Sequence, residues 1–179
     1  MLGQTSVTIG TNVRRCNVPP LMAQTIILQE QHLQCLDLSP AQAVIHPLVQ
    51  SGQLSGDDTT LEFQIDISRD PSDPRELSEI PEIRLWFIRL DSQYPWLPLV
   101  LDWEAGELGR YAAMLVPHQF SPTEGIRYNP EALEIFVMQK IFVIAQWLKQ
   151  QGNTNFTKLK FMTQMLGYEL DDGLFELLK

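Results

Sequence analysis

The sequence predicts an α+β protein, with an antiparallel sheet of about four strands packed against one long helix and two short C-terminal helices behind it. Three patterns lead there. Leu61, Phe63, Ile65 and Ile67 alternate with Glu62, Gln64 and Asp66; a period of two gives a strand one apolar and one wet face, as in an antiparallel sheet. Leu133, Val137, Ile141, Ile144 and Leu148 recur at helical spacing behind Asn129-Pro130, a natural N-cap and a residue suited to the first helical position. Finally, Thr157 and the pair Asp171-Asp172 each precede a short helical run, with Gly167 between the two.

In chain order, residues 1–21 are polar and without clear periodicity, so they are read as a flexible N-terminal segment, and 22–179 as one α+β domain. Thr25-Ile26-Ile27-Leu28 is β-branched and reads as a strand. Ser39-Pro40 opens a helix that Pro47 shortens or kinks. Gly56-Asp57-Asp58 is a turn into the alternating strand, and 70–81 is a Pro-rich, charged connection. Ile83–Leu90 is rich in aromatic and branched residues and reads as a strand, Leu99–Trp103 as its hairpin partner, and Arg110–Pro117 as a further strand. The helix of about 130–150 carries Glu131 and Glu134 early, where the helix dipole favours carboxylates, and ends before Gly152. Phe136, Val143 and Trp147 on its other side predict a helix covered on most of its surface.

Composition narrows the function. The formal net charge is −9, and phosphate backbones repel such a surface, so no nucleic-acid partner is expected. The second tail helix is acidic, which argues against a DNA-reading pair of helices. No stretch reaches the roughly 18–20 apolar residues of a membrane helix, so no stable membrane insertion is expected. Cys16 and Cys35 lie outside any paired-cysteine motif and read as free thiols of a reducing compartment.

Catalytic motifs are missing: there is no phosphate-binding glycine loop, nucleophile elbow or zinc-protease signature. The chain is therefore read as a non-enzyme that uses no cofactor and no metal. His32 and Cys35, three apart, converge only in a turn or helix. Two sets of candidate site residues remain. His118, Arg127 and Asn129 lie near the start of the long helix and could form an anion or small-ligand pocket there, which is the alternative functional reading. For partner binding, Trp96 with Tyr94 sits on a Pro-stiffened loop, a good rigid anchor. Residues 57–82 hold nine carboxylates against Arg69 and Arg75; of these, Asp70, Asp73, Glu76 and Glu79 are the candidate docking surface for a basic protein partner.

From Arg84-Leu85-Trp86-Phe87-Ile88-Arg89-Leu90 onward the chain resembles the chlororespiratory reduction 6 family of cyanobacteria and chloroplasts. The likeness continues through Tyr94-Pro95-Trp96-Leu97-Pro98, Leu101-Asp102-Trp103, Arg110 to His118, Tyr128 to Leu133, Met165-Leu166-Gly167 and Leu174-Phe175. The resemblance implies a soluble assembly factor, cytoplasmic or stromal, for the photosynthetic NAD(P)H dehydrogenase-like complex. Its implied partner is the immature ferredoxin-like iron–sulphur subunit. It implies no catalytic residue, and two separated cysteines cannot supply a four-thiolate cluster site.

Overall fold

The computed structural model describes residues 22–55 and 59–179. The segment 1–21, Cys16 and the 56–58 turn lie outside the described residues. Within them the protein is mixed α/β, with seven α-helices and two sheets of two strands each. The expected four-stranded antiparallel sheet does not form.

Strands β1 (Met22–Gln29) and β2 (Thr59–Asp66) pair in parallel, from Met22 opposite Thr59 to Gln29 opposite Asp66. Between them run α1 (Glu30–Gln34) and α2 (Ser39–Gln50). Parallel neighbours need a crossover of a dozen residues or more, usually helical, and these two helices provide it. Alternation showed that β2 is half buried but carried no information on its partner's direction. Ile26, Leu28, Leu61 and Phe63 fill the covered face.

Residues expected as strands in 83–90 form α3 (Pro81–Gln93) instead. Pro81 occupies its first turn, and Ile83, Trp86, Phe87 and Leu90 are buried at helical spacing while Leu85 and Ile88 are exposed. Trp86 Nε1 donates to the Asp37 carbonyl at 2.6 Å and Arg89 to the Leu36 carbonyl at 2.8 Å, fixing α3 against the turn after α1. The expected strand at 99–103 is a 3-10 turn, Leu97–Val100, with a single parallel bridge from Leu101 to Leu61. The expected strand at 110–117 is α4 (Glu107–Leu115), whose Leu108, Tyr111 and Ala112 face inward.

A hairpin follows. β3 (His118–Ser121) and β4 (Gly125–Tyr128) pair antiparallel, with Gly125 at φ 76°, a left-handed turn position glycine adopts without strain. Helix α5 (Pro130–Gln150) matches its expected range. It is not covered all round, however: Ile135 and Phe142 remain exposed. The tail holds α6 (Thr157–Met165) and α7 (Asp172–Leu177). Asn155, rather than Thr157, accepts from the first backbone N–H of α6, and Asp171 caps α7.

Two apolar clusters hold these elements. The larger gathers β1, β2, α2, α3, α4 and the first half of α5, with Phe63, Trp86, Phe87 and Tyr111 packed edge to face at 5.0–6.2 Å. The smaller joins the second half of α5, through Ile144, Ala145 and Leu148, to Phe156, Leu159, Met162 and Phe175 of the tail.

Candidate functional site

The proposed anion pocket is not assembled. His118 opens β3, and its Nδ1 lies 2.9 Å from the Val116 carbonyl. A carbonyl only accepts, so Nδ1 carries the proton and Nε2 accepts from the buried Ser78 hydroxyl, also at 2.9 Å. Arg127 pairs with Gln119 across the hairpin, and its exposed guanidinium meets Glu124 at 3.2 Å. Asn129 accepts from the Ala132 N–H at 3.0 Å and caps α5. The three side chains thus serve three separate structural contacts. Replacing Asn129 with Ala is expected to lower the unfolding free energy by about 1 kcal/mol, and Asn129→Asp, an equally good cap, to leave it nearly unchanged. Urea unfolding of the two variants measures this.

The 94–98 crossing turns inward rather than presenting an anchor. Tyr94 is buried, with its hydroxyl 2.8 Å from His46 Nε2. Trp96 is half-buried, edge-on to Tyr94 and stacked on Trp147 of α5, with ring centroids 4.8 Å apart and planes at 10°. The proline-stiffened loop predicted rigidity, and that rigidity serves packing onto α5.

The acidic candidates order their own loop. Asp70 accepts from the Ser72 N–H and hydroxyl at 2.8 and 2.7 Å. Asp73 pairs with Arg75 at 2.7 Å, and these hydrogen bonds hold its carboxyl at about 2, below the ordinary 3.8. Glu79 accepts from the Glu76 N–H at 2.6 Å, closing a reciprocal cap on the 77–79 turn. Asp70 is exposed, and Asp73, Glu76 and Glu79 are half-buried.

Sequence reasoning missed a buried polar centre. Lys140 of α5 has no exposed surface. Its ammonium pairs with Asp91 at the end of α3, donates to the Pro95 carbonyl at 3.1 Å and lies 5.3 Å from the Phe136 ring centroid. Asp91 also accepts from the Tyr111 hydroxyl of α4 at 2.9 Å. Burial pushes the Lys140 amine below its ordinary value, against the pull of Asp91, and pushes the Tyr111 hydroxyl well above its own. One lysine thereby ties α3, α4, α5 and the 94–98 crossing together. A lysine inside the apolar stripe Val137–Ile141–Ile144 was the available signal.

Among the described residues no group of three or more His, Cys, Asp or Glu could hold a metal ion, and no helix is long and apolar enough to cross a membrane. Cys35 is a free, exposed thiol. These features define a small mixed α/β protein whose candidate residues are engaged chiefly in holding its own fold. Within that class, the chain belongs to the chlororespiratory reduction 6 family, whose family model matches residues 28–177. Membership implies a role in assembly of the NAD(P)H dehydrogenase complex. No solved structure matches the chain.

Proposed function

We propose that the chain binds an immature subunit of the NAD(P)H dehydrogenase-like complex, the ferredoxin-like iron–sulphur subunit, and releases it once assembly has proceeded. Family membership is the observation that carries this reading. The net charge of −9 supports it, since a basic client is the natural complement of such a surface. In this reading the protein works by binding rather than catalysis, in the cytoplasm or stroma. It carries no cluster of its own, and the open acidic edge around Asp70, Asp73, Glu76 and Glu79 contributes to the contact. Tyr94 and Trp96 contribute indirectly, by fixing the crossing against α5.

The test is co-purification from a photosynthetic extract at low and high salt, paired with a deletion strain. The expected result is capture of the iron–sulphur subunit that weakens as salt screens the charges, with a fall in assembled complex in the deletion. Failure to capture that subunit, together with normal complex levels, refutes the reading.

A further inference from the structure

Among the described residues, strand β2 has a strand partner on only one side. The Leu61 carbonyl accepts from the Asp102 N–H at 2.8 Å on the other side, so the backbone groups of Leu61, Phe63 and Ile65 point towards that open edge, because successive residues of a strand alternate. At Phe63 one side chain of α4 stands in for a neighbouring strand: Arg110 Nη1 donates to the Phe63 carbonyl at 3.1 Å. One residue pair further on, at Ile65, neither a strand nor a side chain among the described residues does the same.

Beside this gap runs a groove of about 600 Å³. Its floor is Glu62 to Ile65; its walls include Leu77, Met114 and Ile126, with Glu76 and Glu107 as carboxylates. Glu107 is 3% exposed, and while one of its oxygens holds Arg110 at 2.9 Å, the other has no hydrogen-bond partner. Along the outer face of β2, Glu62 and Asp66 flank Gln64. Among the described residues the only cation in the groove lining, Arg110, is already engaged by Glu107 and Phe63. An open strand edge offers backbone hydrogen bonds to an extended segment, and the side chains around it set which segment fits.

We propose that the groove along the open edge of β2 receives a short, extended, lysine- or arginine-bearing segment of a partner protein, which adds at Ile65 as a third strand. Its backbone pairs with the Ile65 N–H and carbonyl, its apolar residues face Leu77, Met114 and Ile126, and its cations meet Glu62, Asp66 and Glu76. This rests on the reading of the chain as a binding protein and specifies the client's recognised segment.

The probe is an alternating lysine–valine hexapeptide capped at both ends, titrated into the isotopically labelled full chain beside its glutamate–valine twin. The expected result is a shift of the Ile65 amide resonance and slowed hydrogen exchange there with the lysine peptide alone. Asp66→Lys, on an exposed side chain, is expected to weaken binding about fivefold. Ile65→Pro, which removes the edge N–H, is expected to abolish it. If that variant fails to fold, Asp66→Lys and the Ile65 exchange rate decide alone. Equal binding of both peptides, no binding, or protection confined to 70–79 overturns the proposal. So does a wild-type chain that sediments as a dimer and loses the dimer on Asp66→Lys, since the edge then belongs to a second copy. Undiminished capture of the iron–sulphur subunit by Asp66→Lys overturns the groove assignment while leaving the assembly-factor reading standing.

Discussion

Replacing Asp91 with Ala is expected to lower the unfolding free energy by about 3–5 kcal/mol, since it strands the buried Lys140 ammonium without its counter-charge. It also removes the acceptor for the Tyr111 hydroxyl. The double variant Lys140→Met/Asp91→Asn is expected to recover most of that loss: a methionine fills the lysine's volume without charge, and asparagine still accepts from Tyr111. Urea unfolding of Lys140→Met, Asp91→Asn and the double gives the coupling directly, and additive losses count against a paired buried charge. The pH dependence has a defined sign. The folded Lys140 pKa lies below the ordinary 10.5, so between the two values the unfolded chain binds more protons, and the Lys140 contribution to stability rises with pH. The cost of burying the charge is felt in full below the folded pKa. Tyr111, raised above 10.0, acts in the opposite sense: above pH 10.0 the unfolded chain loses a proton that the native state retains, and stability falls. In Lys140→Met the alkaline fall from Tyr111 is therefore expected to be steeper than in the parent protein.

The second large effect is at Trp86. Trp86→Ala is expected to cost about 3–5 kcal/mol, because a fully buried indole leaves a cavity among Phe63 and Phe87 and frees the Asp37 carbonyl from its donor. Ile88→Ala, two residues on, is expected to stay within about 0.5 kcal/mol because Ile88 is exposed. A strand would place both residues on one face and make both substitutions costly, so thermal or urea denaturation of this pair separates the two conformations.

That contrast shows why part of the architecture was readable and part was not. Helix α5 announced itself through the Asn129-Pro130 start and an apolar stripe sustained over several turns. α3 reads as a strand by composition, because Leu85-Trp86-Phe87-Ile88 is aromatic and branched, while its spacing is helical. The spacing was present: Ile83, Trp86, Phe87 and Leu90 fall at i, i+3, i+4 and i+7, with Pro81 in the first turn. The β1–β2 direction was readable in principle as well, since a helix opening at Ser39-Pro40 lies between the two strands, and that order favours a parallel pair. The site was less legible. His118 stands out in the sequence, but its side-chain partner, Ser78, lies forty residues away, and no local pattern joins them. Lys140 and Asp91 are likewise brought together only by helix packing.

Helix α5 belongs to both apolar clusters, and they meet along its length: Phe136, Val137 and Ile141 serve the larger, Ile144, Ala145 and Leu148 the smaller. The buried tail residues Phe156, Leu159, Met162 and Phe175 sit in the smaller cluster, whereas the tail meets the larger one through half-buried side chains such as Leu166, Tyr168 and Leu174. Such a division allows α6 and α7 to detach in a partial opening while the rest of the molecule keeps its form. Amide protons in the tail would then exchange before those of α3 and proximal α5, making α6 and α7 a readily released section of the described residues.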